Sequence, residues 1–213
     1  MAERIEKPRN LGRPYFATQI KGRKASCVWP SWGTPFSLAA PEIVSEQLGM
    51  EIDSLIGCDQ LRGVAVEIDW KGKHVTWSPS TASPEGAIPL VKSGFGVPLL
   101  DLKGPTGTAQ AIFDTGAPLT YVPADLVARA RSHGTHEDFF PGLSEFETNL
   151  YQVPITVGTH EFTVARGVLP PLLAMALGLL CPSGYIVGTQ LMSDRVTRFD
   201  LDGGWIHFAA TGA

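Results

Sequence analysis

Short apolar runs, separated by glycine, proline and polar residues, dominate this chain of 213 residues. Typical runs are Tyr15 to Ile20, Ala25 to Trp29, Val64 to Ile68 and His74 to Trp77. Runs of this length, bounded by turn-forming residues, are typical of β-strands. The 23 glycines and 17 prolines supply that punctuation throughout the sequence. The pattern therefore predicts a mainly β protein.

Two segments carry helix signals instead. Pro41 to Leu48 and Pro123 to Ser132 each begin with proline, and Gly49 and Gly134 follow their ends. Proline in the first turn and glycine just past the last turn are preferred at helix termini. The longest apolar run, Val168 to Cys181, contains proline and glycine and is shorter than the roughly 20 residues that span a bilayer. We expect this run to lie inside the fold.

The strand and helix signals recur in two copies. Gly33 to Leu38 aligns with Gly116 to Tyr121, and Leu55 to Trp77 aligns with Ile186 to Phe208 without a gap. The second alignment sets Asp69 on Asp200 and Gly72 on Gly203. We therefore divide the chain into a polar tail (1–13), a first half (14–78), a linker (79–85) and a second half (86–210).

The two halves are unequal. The second is longer because it contains Ser132 to Gly184, in which a hairpin is predicted from Phe139 through Pro141-Gly142 to Val157. The linker, Pro79 to Glu85, is small, polar and proline-bearing, so the halves are expected to face each other. Only the second half is then able to supply a hairpin over a cleft between them.

The clearest candidate chemistry lies in Ala111 to Pro123. The apolar residues Ala111-Ile112-Phe113 run directly into Asp114, Thr115 and Gly116, after which the chain turns apolar again. This order predicts an ionisable group at a buried strand end. Gly116 has no side chain, so the backbone is able to approach closely there.

This Asp-Thr-Gly-Ala stretch, with its apolar flanks, resembles the active-site loop of the pepsin-like and retroviral-type aspartic peptidases. In that family a segment such as Ile186-Val187-Gly188 threads past the loop, and a closing hairpin such as Val196 to Phe208 follows. The resemblance implies a mainly β, aspartic-peptidase (pepsin/retropepsin-like) fold with two unequal repeats flanking a cleft. It also implies that Asp114 is the catalytic carboxylate and that Thr115 and Gly116 shape its loop.

The first half departs from the family pattern at Pro30-Ser31-Trp32-Gly33. Ser31 stands where the second aspartate is expected, and Trp32 stands where a threonine would brace the opposite loop. Peptide hydrolysis in this family needs two carboxylates that share one proton, because like charges so close cannot both ionise. Ser31, Trp32 and Gly33 are therefore assigned to the supporting loop and not to acid chemistry.

Three arrangements remain open. In the first, Asp114 faces Ser31 within one chain, and the fold is no longer an efficient peptidase. Alternatively, two chains pair through their second halves and form a homodimer in which Asp114 meets its own copy. In the third, Asp114 acts alone as a general acid or base in a non-peptidase reaction, which gains roughly 10²- to 10⁴-fold in rate.

The resulting functional hypothesis is an aspartic-peptidase-like hydrolase that acts through Asp114. The alternative is a pepsin-fold protein without peptidase activity, either a binding protein or an enzyme with a lone acid or base. In each case a peptide or a small molecule is the expected ligand of the cleft. Phe139, Phe140 and Tyr151 are the candidate flap residues that close over it.

Charge and cysteine content exclude other classes. With 17 basic and 21 acidic residues, a net charge of −4 and no basic stripe, neither nucleic acid nor a membrane is an expected partner. The polar start, Met1 to Pro14, lacks the apolar core of a secretory signal. Cys27, Cys58 and Cys181 are an odd number without metal-ligand spacing, which favours reduced thiols in a cytoplasmic protein.

The histidine pair His133 and His136 is the remaining candidate for a metal site. His133 and His136 have no third ligand close by in the sequence, so we predict no metal site and no cofactor.

Overall fold

The computed structural model describes residues 15–20, 23–28, 41–49, 51–58, 60–72, 74–140, 144–163 and 165–210. Within these ranges lie eighteen strands, two α-helices and 3₁₀ turns at Ala124–Val127 and Thr189–Met192. In chain order the elements are β1 (Tyr15–Ile20), β2 (Arg23–Val28), α1 (Pro41–Leu48), β3 (Ser54–Leu55), β4 (Val64–Asp69), β5 (His74–Pro79), β6 (Ile88–Lys92), β7 (Pro98–Gly104), β8 (Gly107–Phe113), β9 (Thr120–Tyr121), β10 (Thr135–Phe140), β11 (Ser144–Asn149), β12 (Tyr151–Gln152), β13 (Ile155–Val157), β14 (His160–Phe162), β15 (Ala165–Gly167), α2 (Pro171–Gly178), β16 (Tyr185–Val187), β17 (Arg195–Asp200) and β18 (Trp205–Ala210).

Most strands belong to one mixed sheet, in the order β12-β15-β9-β16-β8-β7-β6-β18-β17-β4-β5, and β13 joins it beside β7. Strands β1 to β3 form a separate sheet, and β10 and β11 form a hairpin. This architecture confirms the mainly β prediction. The first-half strands β4 and β5 enter the same sheet as the second half through the pairing of β4 with β17.

The hairpins β4–β5 and β17–β18 have matching turns. In the first, the Gly72 N–H donates to Asp69 Oδ1 at 2.7 Å. In the second, the Gly203 N–H donates to Asp200 Oδ1, also at 2.7 Å. A carboxylate that accepts a backbone N–H a few residues later stabilises a tight turn. The residues that the sequence alignment superimposes therefore occupy equivalent positions.

The ladder between β4 and β17 has a twofold character. Its centre pairs Glu67 with Arg198, two residues that the same alignment superimposes. On either side the ladder repeats the correspondence, with Ala65 opposite Asp200 and Asp69 opposite Val196. The two hairpins thus meet as equivalent partners across a pseudo-twofold axis.

Two buried clusters form the core. The central cluster joins both halves, with Val66 and Ile68 from the first packed among Phe113, Val187 and Phe199 from the second. The second, which we call the α2 cluster, lies under the second helix. It consists of Val97, Leu99, Ile112, Ala117, Leu119, Tyr121, Leu169, Leu173, Leu177, Leu180, Cys181 and Ile186.

The helix predictions have mixed outcomes. The helix at Pro41–Leu48 is confirmed as α1, and Gly49 follows it with φ of 65°. The helix predicted at Pro123 to Ser132 is wrong, because only the short 3₁₀ turn Ala124–Val127 forms. Val127 is the one buried residue of that segment, so a longer helix has no apolar face to pack.

The run Val168 to Cys181 is not wholly inside the fold, which corrects the sequence expectation. It forms α2, whose inner residues pack on the α2 cluster while Leu172 and Met175 point outward. Within the described residues, neither helix nor 3₁₀ turn has the length and apolar content to cross a bilayer.

Candidate functional site

Asp114 lies at the end of a buried strand. Strand β8 finishes at Phe113, and its last three residues are buried against both clusters. The Asp114 N–H donates to the carbonyl oxygen of Val187 at 2.9 Å, which fastens it to the parallel neighbour β16. Asp114 is 7% exposed and Thr115 is 2% exposed. The strand pairing therefore fixes the carboxylate in a nearly enclosed position.

The loop after Asp114 is held by its own backbone. The Gly116 N–H donates to Asp114 Oδ1 at 2.7 Å, and the Ala117 N–H donates to the Asp114 carbonyl at 3.4 Å. Such a contact caps a turn wherever it occurs, so it does not by itself mark a catalytic group. It does give one carboxylate oxygen a fixed direction.

Gly188 marks where β16 passes the loop. A Cβ at this position would lie 2.6 Å from the carbonyl carbon of Leu119 and 2.7 Å from the carbonyl oxygen of Ala117. Its φ of −98° is open to any residue, so the requirement for glycine is one of space. The expected passage of Ile186-Val187-Gly188 beside the Asp114 loop is confirmed.

Three polar side chains tie the loop to the turn after β16. The Thr189 N–H and hydroxyl donate to the Ala117 carbonyl at 2.9 and 3.1 Å. The Gly188 N–H donates to Thr120 Oγ1 at 3.2 Å, and Gln190 Oε1 accepts the Thr120 N–H at 3.2 Å. Sequence reasoning did not single out Thr120, Thr189 and Gln190. Thr189 and Gln190 carried a signal, since they are polar residues just after the apolar strand β16, whereas Thr120 is the first residue of β9 and carried none.

The β10–β11 hairpin packs on the strand that follows the Asp114 loop. The hydroxyl of Tyr121, in β9, donates to Asp138 Oδ2 of the hairpin, and both side chains are buried. Phe140 and Phe146 pack against the α2 cluster, and Phe139 is 4% exposed. The hairpin is thus anchored to β9, the strand that follows the site loop, through a contact that the sequence did not predict.

The predicted flap residues separate into two places. Phe139 and Phe140 are the last residues of β10. The second strand of the hairpin, β11, ends at Asn149 and does not continue to Val157 as predicted. Tyr151 lies beyond it in β12 and, with Val127 and Val168 among others, lines an open groove of about 400 Å³. Strand pairing with β15 explains this, because it draws the chain after Asn149 away from β10.

Arg166 is a buried cation one strand from the site loop. Strand β15 sets it beside Thr120 of β9 and beside Tyr151 of β12. Its Nη2 donates to the carbonyl of Phe162 at 3.1 Å, while Nε and Nη1 have no hydrogen-bond partner among the described residues. Burial lowers the pKa of Arg166 to about 10, so the guanidinium is still charged at neutral pH.

The first-half loop candidates Ser31, Trp32 and Gly33 lie outside the described residues. Within the described ranges, no three His, Cys, Asp or Glu side chains are grouped as metal ligands, and Cys181 is a free thiol. A comparison with protein-family models found no match to the chain. A comparison with curated proteins found no match either.

Proposed function

We propose that the chain is an aspartic-peptidase-like hydrolase on a pepsin/retropepsin-like fold, with Asp114 as its catalytic carboxylate. One observation carries the proposal: Asp114 directly follows the buried end of β8 and its N–H donates a hydrogen bond to the Val187 carbonyl, while Gly188 passes close against the loop at Leu119. This crossing supports the family resemblance of the Asp-Thr-Gly and Ile-Val-Gly segments together. An Asp-Thr-Gly sequence that only forms a turn does not require such a crossing.

Hydrolysis by such a site uses one carboxylate as a base toward water and a second as an acid toward the substrate carbonyl. Asp114 supplies one of them. Because Ser31 aligns with the missing aspartate, the second carboxylate would come from Asp114 of a second copy, in a twofold homodimer. The expected substrate is a peptide or a small molecule in the cleft, with the β10–β11 hairpin beside it. A cytoplasmic location, favoured by the cysteine pattern, is part of the proposal.

Ser31 also favours a second candidate function. If Asp114 works within one chain, a lone carboxylate serves as general acid or base in a reaction easier than amide hydrolysis, or the cleft only binds its ligand. The two candidates differ in whether activity requires a second copy.

Cleavage of a random peptide library by wild type and Asp114→Asn tests the proposal. We expect cleavage by the wild type and its loss in Asp114→Asn. Asp101→Asn is the matched control, because Asp101 is an exposed carboxylate on the neighbouring strand β7. Cleavage that survives Asp114→Asn would contradict the proposal outright.

Two further measurements distinguish the candidates. A homodimeric dyad loses specific activity on dilution and has an acid optimum with two limbs in the carboxylate range, because two close carboxylates titrate as a pair. A lone carboxylate gives neither result. If the wild type is inactive on peptides, the double variant Ser31→Asp with Trp32→Thr should gain cleavage beyond either single variant. No gain would favour the binding function.

A further inference from the structure

Helix α2 is apolar on its outer face as well as its inner face. Leu172, Met175 and Leu179 are 70, 68 and 78% exposed, and the small residues between them are also exposed or half-buried. The whole run from Val168 to Cys181 contains no charged side chain and no amide or hydroxyl side chain. A helix at the surface of a monomer normally has polar residues on the side away from the core.

Other exposed apolar residues lie around the same cluster. Val91 is 45% exposed and pairs with Leu99, a member of the α2 cluster. Phe95 is 59% exposed and stands two residues before Val97, another member. Among the described residues, seven large apolar side chains are exposed, and five of them lie in α2, at its C-cap Leu179 or in the β6–β7 hairpin. Their concentration around one cluster is not the scattered exposure that is normal for soluble proteins.

We propose that the outer face of α2 is an interface with a second copy of this chain. A twofold dimer places the same patch on both partners, so an uncharged apolar face is complementary to itself and leaves no charge unpaired. The occupant is a protein surface and not a lipid surface, because helices that lie on membranes carry Lys or Arg beside their apolar face. The run that forms α2 has none.

The size of the face suits a weak dimer. From their exposed fractions, Leu172, Met175 and Leu179 together present roughly 400 Å², comparable to the largest apolar patch of a typical monomer. With Pro171 and the exposed alanines of α2, two copies would bury on the order of 1,100 Å² in total, near the lower limit of specific interfaces. The contact is independent of the proposed meeting of two Asp114 loops, and it goes beyond the proposed function.

Sedimentation velocity of the full chain between about 1 and 100 µM tests the interface. We expect a reversible, concentration-dependent association step with a Kd of roughly micromolar magnitude, consistent with a small interface and separate from any dimer formed through the Asp114 loops. The triple variant Leu172→Ser, Met175→Ser, Leu179→Ser should dimerise at least tenfold more weakly. Ile43→Ser is the control, because Ile43 is 40% exposed on α1 and is not one of the patch residues, so it should leave dimerisation unchanged.

Three outcomes would overturn the proposal. The first is a wild type that stays monomeric at every concentration. The second is a dimer that the triple variant, folded by circular dichroism, forms equally well, which would indicate another interface such as the Asp114 loops. The third is a monomer that sediments with vesicles of phosphatidylcholine and phosphatidylserine, and loses this in the triple variant, which would identify a lipid surface instead.

Discussion

Gly188→Ala tests whether the crossing of β16 and the site loop is as tight as its geometry indicates. The new methyl group would overlap the Leu119 carbonyl and lie 2.7 Å from the Ala117 carbonyl oxygen. Both neighbours are backbone atoms, so no change of side-chain rotamer relieves the overlap. Because the φ of Gly188 is −98°, alanine causes no conformational strain of its own there.

The expected cost follows from these contacts. Overpacking a rigid site costs about 1–3 kcal/mol and occasionally more. Moving the strand apart also weakens the Asp114–Val187 and Thr189–Ala117 hydrogen bonds, each worth about 1 kcal/mol net. We therefore expect Gly188→Ala to lower the free energy of unfolding by at least about 3 kcal/mol. Activity, if present, should fall with it.

Urea unfolding measures this effect through the shift in midpoint at constant slope. Gly94→Ala is the matched control, since a Cβ at Gly94 meets nothing within 4 Å and the variant should stay within about 0.5 kcal/mol of wild type. Hydrogen exchange at the Asp114 and Thr189 amides localises the damage. If Gly188→Ala unfolds within about 0.5 kcal/mol of wild type, the argument from close backbone approach is refuted.

Four other substitutions probe the rest of the structure. In urea unfolding, Asp200→Ala should lower the free energy of unfolding by about 3 kcal/mol and Asp69→Ala by about 1 kcal/mol. The reason is that Asp200 is 0% exposed, whereas the Asp69 side chain is 22% exposed in the equivalent turn. Equal costs would contradict this reasoning. Tyr121→Phe removes a buried donor to Asp138 and should cost about 1–3 kcal/mol, with faster exchange in the β10–β11 hairpin; unchanged stability would argue against the anchor. Burial, and then nearby positive charge, lower the pKa of His160 below 6.5, so its neutral form is favoured on folding. The stability linked to neutral His160 is complete above pH 6.5 and is lost as the pH falls through the lowered pKa. His160→Gln should therefore lose less stability on acidification than the wild type. An equal loss in both proteins would exclude a contribution of His160 to the pH dependence.

Features encoded by local residues were predictable from the sequence. The turns at Asp69 and Asp200 follow from an aspartate three residues before a glycine, and helix α1 follows from its proline start and glycine end. The passage of Gly188 beside the Asp114 loop was predictable only through family resemblance, because no local pattern indicates which distant strand pairs with β8.

Features set by tertiary packing were not predictable. The segment after Pro123 has good helix signals, but only Val127 is buried, so packing supports no more than one 3₁₀ turn. In Val168 to Cys181 every position is apolar, so periodicity could not say which side faces solvent. The contact of Tyr121 with Asp138 joins two elements whose docking the sequence does not specify.

The pairing of Glu67 with Arg198 at the centre of the β4–β17 ladder bears on how the chain avoids the wrong assembly. Because the ladder is symmetric, either strand has nearly the right shape to pair with the same strand of another molecule. Such a pairing would set Glu67 against Glu67, or Arg198 against Arg198, and like charges directly opposite each other in a sheet are unfavourable. Opposite charges at this single position therefore favour the partner from the same chain and discourage edge-to-edge association while the protein folds.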